Sequence, residues 1–144
     1  MNGRVFGITG WKNSGKTTLT EKLVSELVRR GRVVSTVKQA VVSGNRWALM
    51  HELRDEEEPA LEAILSRLAP CDIVLVEGYK REAHKKIEAR RIEAKDRAPL
   101  SAQDPNIVAI AADHAVEGES LPVFDLDDVK SIADFIERIT GLSG

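Results

Sequence analysis

Short apolar runs, each ended by glycine or an acidic residue, alternate along the chain with longer stretches in which aliphatic residues recur every three or four positions. Val5-Phe6-Gly7-Ile8-Thr9 is the first run and reads as a buried strand. From Lys16 to Arg30 the residues Leu19, Leu23, Leu27 and Val28 fall at helical spacing, with Gly31 as a stop. Val33 to Lys38 then predicts a second strand, and strand, helix, strand is a βαβ unit whose two strands run parallel in one sheet. Glu57 to Leu68 puts Leu61, Ile64, Leu65 and Leu68 on one helical face, with Pro59 in the first turn. Ile73-Val74-Leu75-Val76, ending at Glu77-Gly78, has no polar face, as expected of a central parallel strand. Ile107 to Ala112, ending at Asp113, is a second such run, and Pro122-Val123-Phe124 reads as a short edge strand. A last helix is expected from about Asp127 to Thr140, with the stripe Val129, Ile132, Ala133, Ile136 and Ile139 and Gly141 just beyond. Strands alternating with helices predict a three-layer α/β sandwich around a mostly parallel sheet.

Composition narrows the function more than the fold. At 144 residues the chain is long enough for a single domain, and 42% hydrophobic with 31% charged residues excludes a disordered or collagen-like chain. Lys plus Arg number 21 against 23 Asp plus Glu, so the net charge of -2 lacks the global basic field of a nucleic-acid binder, and 4% aromatics are too few for a base-stacking platform. No apolar run is long enough to span a membrane. The single cysteine, Cys71, has no internal partner and no secretory leader opens the chain, so a cytoplasmic address is expected.

The strongest chemical signal is Gly10-Trp11-Lys12-Asn13-Ser14-Gly15-Lys16-Thr17, which fits the phosphate-loop pattern Gly-x-x-x-x-Gly-Lys-[Ser/Thr] between a predicted strand and a predicted helix. The glycines let backbone N–H groups turn toward phosphate oxygens, and the helix start adds partial positive charge there. Lys16 is expected to reach the β- and γ-phosphates, Thr17 to offer its hydroxyl to Mg²⁺ and Thr18 to meet an α-phosphate oxygen. Glu77, just after four aliphatics, stands at the ligand-binding edge of the sheet, where it can hold a metal-bound water or orient an attacking one. Lys38 ends a strand on the same edge and suits an anionic group. Asp113 is a candidate acceptor for the N1–H and N2–H groups of guanine, although no Asn/Thr-Lys-x-Asp box is present. Lys80, Arg81, Lys85, Lys86, Arg90, Arg91, Lys95 and Arg97, set against Glu82, Glu88, Glu93 and Asp96, predict a local basic patch for a phosphorylated substrate or an acidic partner. His51, His84 and His114 are scattered, without metal-ligand spacing.

The chain resembles the molybdopterin-guanine dinucleotide biosynthesis protein B family. The resemblance rests on the loop continued through Thr18-Leu19 and Glu21-Lys22-Leu23, on Thr36-Val37-Lys38, on Asn45 to Leu53, on Leu68 to Asp72, and above all on Val76-Glu77-Gly78-Tyr79-Lys80-Arg81-Glu82 and Lys86-Ile87-Glu88-Ala89-Arg90-Arg91. It implies the P-loop NTPase fold and a GTP-binding, Mg²⁺-dependent, weakly GTP-hydrolysing homodimer. Such a protein acts as an adaptor for the enzyme that joins a guanine nucleotide to molybdopterin. Lys16 and Glu77 would then carry hydrolysis, Thr17 and Glu77 the metal, and Gly10, Lys12, Asn13, Ser14, Gly15, Thr17, Thr18 and Asp113 the nucleotide. Lys12 matches the loop lysine that face-to-face P-loop dimers send to the partner's phosphate, and the basic stretch would meet the pterin phosphate or the partner enzyme. The chain departs from the pattern where Gln39-Ala40 runs straight into Val41-Val42-Ser43, without the usual loop, helix and strand. A parallel connection needs a dozen or more residues, so the segment around 39–44 is either a shortened variant or lacks a loop and helix. The proline usual before Lys86-Ile87-Glu88 is also absent. Two alternatives stand beside this reading. A small-molecule kinase would need a lid with arginines, and a nucleotide-gated metallochaperone would need a Cys or His cluster.

Overall fold

The expected βαβ unit forms, but another strand sits between its two strands. In the computed structural model, which describes residues 4–38, 61–79, 82–94 and 98–142, β1 (Arg4–Thr9) leads through α1 (Lys16–Arg29) to β2 (Val34–Lys38). The short α2 (Leu61–Leu65) precedes β3 (Ile73–Glu77), followed by β4 (Lys86–Arg90), β5 (Ile107–Ala112), β6 (Val123–Asp125) and α3 (Val129–Thr140). The six strands form one sheet in the order β2-β3-β1-β4-β5-β6, and every pairing is parallel. The chain leaves β1 toward one edge of the sheet and β4 toward the other. The crevice at their C-terminal ends is therefore the topological switch point, where open α/β sheets bind ligands.

Alternation along the strands sorts the core into two layers. Phe6, Ile8, Ile73, Leu75, Ile87 and Ala109 face one side, against Leu19, Leu23 and Leu27 of α1 and Ile132, Ala133 and Ile136 of α3. On the other side Val37, Val74 and Val76 pack with Leu61 and Tyr79, and Leu100 with Ile107 and Ile110. The sheet is thus the middle of three layers, as expected. Asp128 caps α3 by accepting the Ser131 N–H at 3.3 Å, and Gly141 at φ 74 closes it, so the acidic start and the glycine stop act as the pattern predicts. Buried Glu26 and Glu137, with Arg30 between them, tie α1 to α3.

Two expectations need adjustment. The helix predicted over 57–68 is helical at Leu61–Leu65 and passes into turns at Arg67 and Leu68, while 57–60 lie outside the described residues, as do 39–44 and Asn45 to Leu53. The stretch expected to be a basic surface instead supplies β4, an interior strand between β1 and β5. Lys86 is fully buried and donates to Asp104 at 2.7 Å and to the Glu82 carbonyl. Arg90 is held by Glu88 at 3.0 Å and lies 3.4 Å from Glu119. Neither cation is available to a partner, which removes them from the proposed patch. Lys80, Arg81, Lys95 and Arg97 lie outside the described residues.

Candidate functional site

The loop from Gly10 to Thr17 leaves the C-terminal end of β1 at the switch point. Gly10 has φ 153, and a Cβ there would run into the Ser14 side chain and come within 2.8 Å of the Ala89 carbonyl oxygen. Gly15 has φ 93 and would press a Cβ against Arg91 and Leu126. Both positions of the pattern therefore require glycine for conformation and for space. No side chain caps α1, whose first N–H groups open toward the loop and suit an anion.

The side chains divide by role. Lys16 donates from Nζ to the Gly10 carbonyl at 3.1 Å, so its ammonium lies over the loop. Lys12 and Asn13 are exposed at the tip, Asn13 in the left-handed region at φ 63. Ser14 is turned under the loop. Its N–H donates to the Trp11 carbonyl at 3.1 Å and its buried hydroxyl has no hydrogen-bond partner among the described residues, so it shapes the loop. Trp11 donates from its indole nitrogen to the Ala98 carbonyl at 2.7 Å, a tether that no local pattern announces.

The register of the sheet assembles the acidic part of the site. Glu77 pairs with Ile8 of β1 and with Lys38 of β2, so both neighbouring strand tips flank it. Thr17 donates its hydroxyl hydrogen to Glu77 Oε2 at 2.8 Å. Lys38 Nζ lies 3.4 Å from the Thr17 hydroxyl oxygen and 3.7 Å from Glu77 Oε2. The Glu77 side chain is 7% exposed, that of Lys38 64%. Directly after Glu77 the chain turns sharply, with Gly78 at φ 93 and the buried Tyr79 at φ 53, and the Gly78 N–H donates to Ile8 at 3.0 Å. A hydroxyl and a carboxylate oxygen are hard donors that suit Mg²⁺, an ion commonly held by one or two carboxylates, waters and phosphate oxygens. Among the described residues no group of three or more His, Cys, Asp or Glu could hold a metal without such help.

Asp113 stands on the other side of the helix start. A cleft of about 220 Å³ joins it to Gly15, Thr18, Lys22, Arg91 and Leu126. Its Oδ1 accepts from the Ile92 N–H and faces His114 Nδ1, both at 2.9 Å, and the His114 contact chiefly holds the carboxyl below its usual range. Oδ2 lies 4.0 Å from Arg91 and faces fewer partners. Arg91 and the Lys22–Asp127 pair, 3.4 Å apart, were not anticipated as neighbours of Asp113. Arg91 follows a strand that the hydrophobic pattern did not reveal, which is why its position was hidden.

The sequence profile of the molybdopterin guanine dinucleotide synthesis protein B (MobB) family matches in two stretches, residues 5–42 and 39–113. The chain belongs to the MobB family. The molybdopterin-guanine dinucleotide biosynthesis adapter protein of Escherichia coli is 31% identical over 159 aligned positions, covering 92% of this chain and 90% of that protein. The adapter of the same name from Haemophilus influenzae is also 31% identical, over 167 positions, covering 96% and 91%. Both alignments are longer than the 144-residue chain, so these MobB relatives carry residues with no counterpart here. A crystal structure of a MobB homologue from Bacillus stearothermophilus superposes with a TM-score of 0.65 at 36% identity, covering 96% of this chain and 99% of that one.

Proposed function

We propose that this chain is a GTP-binding, Mg²⁺-dependent adaptor for the enzyme that attaches a guanine nucleotide to molybdopterin, with slow hydrolysis of its own. The observation that carries the reading is the Thr17–Glu77 hydrogen bond at 2.8 Å beside a glycine-bent loop, in a member of the MobB family. Gly10 to Gly15 form the cradle for the phosphates, and Lys16 swings from the Gly10 carbonyl to the β- and γ-phosphate oxygens. Thr18, on the first turn of α1, meets the α-phosphate. Thr17 and Glu77 would hold Mg²⁺, which when bound would supply positive charge to the phosphate oxygens. Glu77 orients the attacking water. Asp113 reads guanine from the cleft beside Thr18, with Oδ2 facing the base because Oδ1 is engaged.

The exposed Lys12 reaches across a homodimer to the partner's phosphate. The adaptor works in the cytoplasm, where it meets the guanylyltransferase and its pterin substrate. We take the segment around 39–44 to be shortened relative to MobB relatives. The two-part family match meeting at 39–42 and the alignments longer than the chain support this.

Calorimetric titration with GTP and ATP, with and without Mg²⁺, tests the reading, with light scattering on the same samples for the protomer count. A hydrogen bond from guanine to Oδ2 of the Asp113 carboxylate predicts about ten- to a hundredfold preference for GTP, strengthened by Mg²⁺ and accompanied by a dimer. Equal affinity for both nucleotides would remove Asp113 from the base site. Unchanged triphosphate binding in Lys16→Ala would reject the loop itself.

A further inference from the structure

We propose that Lys38 is a tethered cation that holds the metal's place between Thr17 and Glu77 and so weakens the site's affinity for divalent ions. The inference rests on the metal reading given above. In the register of the sheet Lys38 lies directly beside Glu77, at the adjoining strand tip. The ammonium is 3.4 Å from the Thr17 hydroxyl oxygen and 3.7 Å from Glu77 Oε2. Thr17 passes its own hydrogen to the same carboxylate oxygen at 2.8 Å. Charge and hydrogen bonds thus close on one another: lysine donates to hydroxyl, hydroxyl donates to carboxylate, and carboxylate balances lysine.

This closed arrangement does for the metal-free protein what a divalent ion would do for the loaded one. Glu77 is almost fully buried, and a buried carboxylate without a counter-ion is costly. Among the described residues Lys38 is the cation placed to neutralise it. The two cations are mutually exclusive. A metal on Thr17 needs a hydroxyl lone pair and a position close to Glu77, where an ammonium at 3.4 to 3.7 Å would repel it. Lys38 can leave without disturbing the fold, because its side chain is 64% exposed on a flexible stem at the end of an edge strand. Metal entry therefore includes the release of one lysine, and the affinity measured is the difference between the two occupants.

The test is a Mn²⁺ titration of the full chain saturated with GDP, following free Mn²⁺ by electron paramagnetic resonance. Lys38→Met should tighten Mn²⁺ binding about two- to fivefold, the size expected for loss of an exposed ion-pair competitor. Lys38→Arg, which keeps the charge, should stay within about twofold of the wild type, each protein being titrated with Mn²⁺ at its own saturating GDP. Lower thermal stability of metal-free Lys38→Met, restored by Mn²⁺ with GDP, is the second expected signature. Unchanged or weaker Mn²⁺ binding in Lys38→Met would overturn the inference and leave the nucleotide reading standing. GDP binding without Mn²⁺ uptake in any of the three proteins would overturn both the metal reading and this one.

Discussion

Strands β3 and β4 flank β1 on its two sides, and they solve the problem of burial in opposite ways. In β3 the residues Ile73, Val74, Leu75 and Val76 are each at most 1% exposed, and their aliphatic side chains need no partners. In β4, Lys86 and Glu88 are buried just as deeply. Lys86 finds Asp104 at 2.7 Å. Glu88 accepts the N–H groups of Leu100 and Ser101 and a guanidinium hydrogen of Arg90, all at 3.0 Å. A central parallel strand therefore does not have to be apolar; it has to pair the charges it buries. The charged solution also does something the aliphatic one cannot. By gripping Leu100 and Ser101, Glu88 anchors the loop whose Ala98 carbonyl receives the Trp11 indole, so β4 helps to set the shape of the phosphate loop.

The sharpest way to break this contrast is to unpair one charge. Asp104→Ala leaves buried Lys86 without its carboxylate and should cost about 3–5 kcal/mol in urea unfolding, while the double variant Lys86→Met/Asp104→Leu should recover most of it. A single-variant cost below about 1 kcal/mol would show that β4 does not depend on the pair. Next comes Leu75→Ala in β3, expected to cost about 3 kcal/mol through lost burial and the cavity left behind. The two losses should differ with pH. Burial opposes ionisation of Asp104, but its bonds to Lys86 and Asn106 prevail and hold the carboxyl below its ordinary value of 3.8. The stabilisation from the pair is therefore complete above that value and fades as pH falls below it, whereas the cost of Leu75→Ala should not change across that range. Glu88→Gln should cost about 1.5–3 kcal/mol, because the amide nitrogen faces groups that are themselves donors, and an unchanged midpoint would remove Glu88 as the anchor of that loop.

The smallest effect belongs to His84, just ahead of β4. Both ring nitrogens are buried without hydrogen-bond partners among the described residues, and burial, with Lys86 nearby, lowers its pKa from 6.5 to about 4 despite Asp104. Between those values the unfolded chain takes up a proton that the folded one does not, so stability falls on acidification from pH 6.5 toward pH 4. Since the ring is partly exposed, about 1–2 kcal/mol is expected over that window. His84→Asn should remove this slope, and parallel wild-type and variant profiles would exclude the histidine as its source.

The same pair of strands explains what the sequence could reveal. Helices α1 and α3, strands β1, β3 and β5, and the short edge strand β6 announce themselves through local periodicity and end signals. Glu77 could be placed beside the loop because an acid after an aliphatic run must sit at a strand tip, although 60 residues separate it from Thr17. For β4 the charged residues of Lys-Ile-Glu-Ala-Arg read as part of an exposed basic patch. Its true partners, Asp104, Leu100 and Ser101, lie 12–18 residues away in a loop without a pattern of its own. Arg91 was hidden for the same reason. Its place beside Gly15 and Asp113 follows from β4, and Asp113 could be suspected only from the end of β5.

The central place of β1 bears on how the protein is made. The strand that carries the phosphate loop is synthesised well before its two neighbours, residues 73–77 and 86–90. At ~5–20 residues per second, β1 and the apolar face of α1 wait on the order of ten seconds before the sheet can close around them. During that interval Phe6 and Ile8 are exposed on an unpaired strand, so β1 is the segment a holding chaperone would shield, and the nucleotide site cannot exist before Glu77 and β4 have been synthesised.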